Sequence, residues 1–255
     1  MAKKYYVVWR GHSPGVYDNW PDCQKQVHGF QGAKYKSFPT IEEAQQAYKG
    51  SATVATSTDK KGAVKKTTTK KAGSLTQSQV LALDANIKIF TDGACDPNPG
   101  EAGSGLALYQ DNELTELWYG LYASEGTNNL AELNALHQAL LMAETYLNND
   151  LKVTILCDSV YAINCITQWA QGWEKKGWKK SGGEIKNLSL IQTMYRQYLL
   201  LKDRLTISHV NGHVGIEGNE MADRMSILAI DEREPDFCRY TGALDVPGIL
   251  AMRAG

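Results

Sequence analysis

The chain has 255 residues, 43% of them apolar, which suffices for one full domain and a smaller one beside it. Its formal net charge of -1 conceals a split: residues 1–76 carry 13 Lys and Arg against 5 Asp and Glu, whereas residues 77–255 carry 14 against 23. The basic first third suits a polyanionic partner; five scattered cysteines without a CxxC pair argue against a disulfide framework or zinc knuckle, and no apolar run approaches the roughly 18 residues of a membrane span. "MAKKYYVVWR" lacks the apolar stretch of a signal peptide. A soluble protein is expected, cytoplasmic, with nuclear or organellar placement left open.

In chain order, "KYYVVWRG" reads as a strand, "SPGVYDNWPDC" as a turn leading into a second strand and a short helix, "AKYKSF" as another strand, and "TIEEAQQAYK" as a helix capped by Thr40. Residues 1–49 thus make a small α+β domain. Residues 50–84 are expected to be a flexible basic linker, because 50–76 have no hydrophobic period and are rich in Thr, Ala, Gly and Lys.

Beyond it, "IKIFTD", "SGLALYQ" and "ELTELWYGLY" are three strands, the last two joined as a hairpin at Asp111 and Asn112. Then follow a long helix "NNLAELNALHQALLMAETYL", a strand "KVTILCD", a helix "SVYAINCITQW", a Trp/Lys/Gly segment, a helix "LSLIQTMYRQYLLL", a strand "LTISHV" and a helix "GNEMADRMSILAI". The order describes an α/β domain over 85–231, a mixed five-stranded sheet flanked by helices. Residues 232–255 form a C-terminal extension whose acidic and apolar residues show no clear period; a docked segment and a partly disordered end both fit.

The strands ending at Asp92 and Asp158 are separated by a hairpin and one long helix, which predicts parallel pairing through a right-handed crossover. Both carboxylates then stand at one sheet edge, where open α/β sheets bind ligands. Glu132 lies in the first turn of the crossover helix, flanking the stripe Leu133, Leu136 and Leu140; Asp223 heads the stripe with Ile227 and Ile230 on the helix after the last strand. Singly these residues also read as a turn residue, an N-cap, a dipole partner and a surface charge. Gathered at one edge they would repel one another unless cations neutralise them, and hard divalent ions with oxygen ligands, Mg²⁺ or Mn²⁺, suit such a site. Two such ions about 4 Å apart point to phosphodiester hydrolysis.

"FTDGACDPNPG", "TNNLAEL", "CDSVY" and "GHVGIEGNEMADRMS", in this order, resemble the four catalytic motifs of type 1 ribonuclease H over residues 86 to 230. The resemblance implies that Asp92, Glu132, Asp158 and Asp223 hold two Mg²⁺ ions, Mn²⁺ being an alternative. Asp92 would bridge both ions, Glu132 and Asp158 would complete the leaving-group side, and Asp223 the nucleophile side. The implied reaction cuts the RNA strand of an RNA/DNA hybrid, leaving a 5′-phosphate and a 3′-hydroxyl. His213, in a glycine-flanked loop, corresponds to a mobile histidine that shuttles protons or assists product release. By the same resemblance Cys95, Asn98, Asn128, Asn129 and Asn219 contact the RNA strand, where the 2′-hydroxyl distinguishes RNA from DNA. The segment "WAQGWEKKGWKKSGGEIKN" looks like the family's basic protrusion, with Trp173 against a DNA sugar and Lys175, Lys176, Lys179 and Lys180 near the DNA strand. Thr127 and Asn187 fall on its DNA phosphate pocket.

"YYVVWRGHSPGVYDNWPDC" and "FQGAKYKSF" resemble the hybrid-binding domain that precedes many type 1 ribonucleases H. Tyr6, Trp20 and Tyr35 then form an aromatic platform for deoxyriboses, with Lys34 and Lys36 near phosphates. The segment departs from the family at Tyr35, often Phe, and at Ser37, where a second Lys is common. The expected molecule is a monomeric, two-domain endoribonuclease with an RNA/DNA hybrid as partner and no membrane association. Its rivals are a DNA-acting enzyme of the same superfamily and a catalytically dead hybrid-binding protein.

Overall fold

The computed structural model describes residues 4–28, 30, 34–50 and 74–255. The chain divides into two compact units, Met1–Thr69 and Lys70–Gly255. Residues 51–73, most of the expected linker, lie outside the described residues.

The first unit is a three-stranded antiparallel sheet in the order β2-β1-β3, made of β1 (Tyr5–Arg10), β2 (Gly15–Tyr17) and β3 (Lys34–Phe38). Helix α1 (Trp20–Val27) begins where the Asn19 side chain accepts from the Asp22 N–H at 2.9 Å. Helix α2 (Ile41–Gly50) begins where the Thr40 hydroxyl accepts from the Glu43 N–H at 3.3 Å. Both helices pack on β1. Val7, Val8, Cys23 and Ala44 are fully buried, a small core for a small domain.

The second unit is built on β4 (Ile87–Asp96), β5 (Gly100–Gln110), β6 (Glu113–Gly126), β7 (Val153–Cys157) and β8 (Leu205–His209). The five expected strands are present, but the sheet has a sixth. A short strand from the C-terminal extension, β9 (Cys238–Arg239), pairs with β6, giving the order β8-β7-β4-β5-β6-β9. The correction is physical: β6 would otherwise be a long unpaired edge, and Phe237 stacks on Trp118 with ring centroids 6.0 Å apart. The extension is therefore docked, not disordered, and it adds a helix, α9 (Val246–Leu250), whose Ile249 is buried.

The linker expectation also needs trimming at its end. Leu75 bridges to Val210, and Thr76 caps a short helix α3 (Gln77–Leu81) through a reciprocal capping box with Gln79. Val80 is buried against the sheet, and Gln77 accepts from the Glu217 N–H at 3.3 Å. The apolar residues Leu75, Val80 and Leu83, widely spaced in sequence, give this stretch something to bury.

Asp111 and Asn112 both have positive φ, 50° and 70°, as a two-residue hairpin turn between β5 and β6 demands. Helix α4 (Asn128–Leu147) crosses back so that β7 pairs parallel to β4, from Ile87 with Val153 to Thr91 with Cys157. After β7 the helix expected over 159–169 divides into α5 (Val160–Asn164) and a π-helical stretch (Cys165–Trp169), and α6 (Ala170–Glu174) continues it. Helix α7 (Leu188–Leu201) lies beside α4 and leads to β8; helix α8 (Glu217–Glu232) crosses β4, β5 and β6.

Alternation along the strands sorts two cores. Ile87, Ile89 and Ile155 pack with Leu133, Leu136 and Leu140 of α4 on one face; Phe90 and Leu156 pack with Met221, Ala222 and Met225 of α8 on the other. No helix among the described residues is long and apolar enough to cross a membrane.

Candidate active site

Asp92 does not end its strand. Strand β4 runs on to Asp96, paired with β5 throughout, with Asp92 opposite Gly105. What ends at this point is the parallel pairing to β7, whose last pair is Thr91 with Cys157. Asp92 thus stands at a fork in the sheet, and Asp158 follows immediately beyond the end of β7.

Two glycines let helices approach this fork. A Cβ on Gly93 would lie 2.3 Å from the Glu132 nitrogen, so only glycine allows the first turns of α4 to rest on β4 beside Asp92. A Cβ on Gly105 would lie 2.1 Å from the Ala222 oxygen, and its absence lets α8 lie on β5 with Asp223 over the same point. The Ser104 hydroxyl donates to the Ala131 carbonyl at 2.9 Å and ties α4 to the sheet. At the start of α8, Tyr109 donates to Glu217 at 2.9 Å.

The four carboxylates line one cavity of about 560 Å³, together with Cys95, Asn128 and His213. Asp92, Glu132 and Asp223 are buried, and Asp158 is half-buried. Burial, then the charges of Asp158 and Asp223, push the Asp92 carboxyl well above its ordinary range. Burial, then Asp92 and Asp158, do the same to Glu132, and burial raises Asp158 against the opposing effect of Asn219. Glu132 Oε2 and Asp158 Oδ1 are buried with no hydrogen-bond partner among the described residues, although buried oxygens are almost always paired. The ligand atoms of Glu132, Cys157 and Asp158 lie within 4.8 Å of one another, as do those of His213, Glu220 and Asp223. Burial, then Glu132, holds the Cys157 thiol well above its usual range, so it is a poor ligand beside oxygen donors that suit hard cations.

Cys95, Asn98 and Asn128 sit at the cavity or its rim; Asn98 accepts from the Asn128 N–H at 3.2 Å, and Asn129 is exposed next to it. Thr127 caps α4 through the Leu130 N–H and stays exposed. Asn187 starts α7 in the left-handed region, φ 58°. Lys175, Lys176, Lys179 and Lys180 are all exposed. Trp173 is half-buried, tilted against Trp169 at 5.8 Å and packed on the main core, so part of its ring serves the fold. Asn219 departs from the expectation most: it is only 1% exposed and gives its amide to Asp158 Oδ2 at 3.3 Å, bracing a carboxylate. In the first unit Trp20 lies between Tyr6 and Tyr35, at 5.4 and 5.7 Å, with Trp20 and Tyr35 exposed and Lys34 and Lys36 exposed beside them.

Sequence reasoning missed Glu220, which accepts from the Gly215 N–H at 3.3 Å and so fastens the loop that carries His213. Its spacing three residues before Asp223 on one helix was the available signal. It also missed Arg224, bonded to Asp223, and His209, whose ring nitrogen meets the Asp158 carbonyl at 3.0 Å; neither carried a local signal.

The chain matches the family described as RNase H over residues 84–230. It belongs to the ribonuclease H family. Residues 4–48 match the family described as Ribonuclease H1 N-terminal domain. A ribonuclease H of Pseudomonas putida (strain F1) is 36% identical over 151 residues, covering 59% of this chain and 97% of that protein. One of Methylorubrum extorquens is 34% identical over 140 residues, 55% of this chain and 58% of that protein. Among solved structures, LC9-RNase H1, described as a type 1 RNase H with the type 2 active-site motif, superposes with a TM-score of 0.52 at 19% identity, over 66% of this chain and 86% of that one. As a ribonuclease H this chain is a metal-dependent endoribonuclease acting on RNA/DNA hybrids.

Proposed function

We propose that Asp92, Glu132, Asp158 and Asp223 together hold two Mg²⁺ ions, Mn²⁺ being an alternative, and hydrolyse the RNA strand to leave 5′-phosphate and 3′-hydroxyl ends. The observation that carries this reading is the cavity where all four acids meet and two buried carboxylate oxygens have no partner among the described residues. Such a donor set, oxygen-rich and with Asp92 and Glu132 pushed toward protonation by burial and then by neighbouring charges, fits hard divalent cations. When bound, they supply Lewis acidity at the scissile phosphate and a more acidic water.

The chain's own residues orient the reaction. The charges of Asp158 and Asp223 both act on Asp92, and Asp92 in turn acts on Glu132, so its carboxylate serves both halves of the site. Asn219 and His209 hold Asp158 in place from its side-chain and backbone oxygens respectively. His213, exposed and lining the cavity, carries a proton or helps product leave; its place at the cavity supports this role. Cys95, Asn98, Asn128 and Asn129 at the rim meet the RNA strand. Thr127, Asn187, Trp173 and the four lysines of 175–180 serve the DNA strand, and Tyr6, Trp20, Tyr35, Lys34 and Lys36 hold the hybrid in the first unit. A tether between the two units raises the local concentration of one on a hybrid held by the other. The protein works as a monomer.

The test is cleavage of a hybrid with either strand labelled, with and without Mg²⁺, alongside duplex DNA and duplex RNA. RNA-strand products appear only with the ion, and Asp92→Asn abolishes turnover while leaving hybrid affinity within about twofold. Preferential cutting of DNA, or unchanged turnover in Asp92→Asn, contradicts the assignment.

A further inference from the structure

The C-terminal extension does more than extend the sheet. Past β9 the pairing with β6 runs on for one residue, the Tyr240 N–H donating to the Leu117 carbonyl at 2.8 Å. Helix α9 packs on α8, and the Leu250 carbonyl accepts from Arg224 Nε at 3.4 Å. The chain then arrives at the active site. Arg253 binds Asp231 on α8 and Asp96 at the end of β4, the latter at 3.2 Å, so its guanidinium spans the mouth between two elements of the site. The Gly255 N–H points at both oxygens of Asp223, at 3.2 and 3.3 Å, and Arg253, Ala254 and Gly255 form one wall of the cavity.

Both oxygens of Asp223 are thereby met, by the Gly255 N–H and, at one of them, by the Arg224 guanidinium. Glu132 and Asp158, at the other end of the site, each keep one oxygen without a partner among the described residues. The fit at Asp223 is tight: a Cβ on Gly255 would lie 2.8 Å from Asp223 Oδ1 and 3.3 Å from Ile227. A small divalent ion needs carboxylate oxygens at about 2.1 Å and keeps several waters. The Gly255 N–H and a hydrated ion therefore compete for the same lone pairs.

We propose that residues 253–255 are an intramolecular competitor for the cation at Asp223, so that loading that side of the site and releasing the tail are one event. This rests on Asp223 being a metal ligand. It makes the two halves of the site unequal: the Glu132 and Asp158 side is open to an ion, and the Asp223 side is held by the tail until an ion displaces it. A device of this kind raises the metal concentration at which both sides are loaded.

The test uses the full chain labelled with ¹⁵N and titrated with Mg²⁺ alone, without substrate. Two amides serve as reporters: Gly93, which donates to Asp92 at 2.8 Å, and Gly255 on Asp223. The Gly93 resonance is expected to shift as the ion binds, and hydrogen exchange at Gly255 to accelerate at least tenfold in the same titration. Gly255→Pro, which removes the competing N–H without changing charge, and Arg253→Ala, which releases the anchor at Asp96 and Asp231, are each expected to lower the Mg²⁺ midpoint of the second binding step by about three- to tenfold. A Gly255 amide that stays protected while Gly93 responds overturns the competition and leaves the metal site standing. Unchanged midpoints in both variants overturn it as well. If neither amide responds at millimolar Mg²⁺, the metal reading of Asp223 falls, and this proposal falls with it.

Discussion

At the scale of single residues, the acids of the site are placed against their own electrostatic preference. Burial holds the Asp92, Glu132 and Asp158 carboxyls above unfolded values near 4, and the charges of neighbouring carboxylates add to it at Asp92 and Glu132. For a carboxyl raised in the folded state, the stability contribution is intact below the unfolded value and is lost as pH rises through the folded one. Metal-free protein is therefore expected to lose stability from about pH 4 upward as these groups are forced to ionise, and Mg²⁺ to restore it at pH 8. Asp92→Asn removes the most crowded charge, so its metal-free Tm at pH 8 should exceed the wild type's by about 3 °C or more, equivalent to about 1 kcal/mol in a domain of this size. Near pH 4 the gap should close. A calorimetric scan of both proteins with EDTA checks this, and a lower Tm for the variant at pH 8 would count against the crowding. The same four acids were legible in the sequence because each stands beside a patterned element. Glu220, Arg224 and the bracing role of Asn219 were not, because their partners lie across loop and helix contacts that local pattern does not encode.

At the scale of elements, the helix over 128–147, the Asp111–Asn112 hairpin and the strand expected to end at Asp158, observed as Val153–Cys157, could be read directly, since period, cap and turn chemistry all agree there. The continuation of β4 past Asp92 could not, because "GACDPNPG" has turn composition and only its pairing with β5 keeps it extended. Likewise the ordered stretch at 75–81 and strand β9 take their structure from partners distant in sequence. Glycines where elements meet were equally silent, and they carry a prediction. Gly93→Ala and Gly105→Ala force backbone atoms of α4 or α8 off the sheet, at a cost of about 1–3 kcal/mol or more. Each should lower kcat at least tenfold even below its Tm, because a displacement of about 1 Å in Glu132 or Asp223 misaligns the site. A Gly126→Ala variant, whose nearest neighbours are the Ala102 and Ala123 methyls, serves as the control for strain outside the carboxylates. Equal kcat losses in all three would show that the two glycines have no special tie to the site.

At the scale of the whole molecule, the charge split between a basic first third and an acidic remainder matches a division of labour between holding and cutting. The ordered start of the catalytic unit places the useful truncation before residue 74, since Leu75 and Thr76 belong to its structure. Removing residues 1–73 should weaken hybrid affinity at least tenfold and reduce the salt slope of binding by about one for each phosphate that the first unit neutralises, while kcat at saturating hybrid stays within about twofold. Binding isotherms at several salt concentrations measure this, and an equal loss of kcat would refute the division. The most direct test of the two-ion assignment is anomalous diffraction from crystals of the full chain grown with Mn²⁺. Two peaks about 4 Å apart are expected, both touching Asp92, one shared with Glu132 and Asp158 and the other with Asp223; peaks elsewhere, or none among the four carboxylates, would refute it.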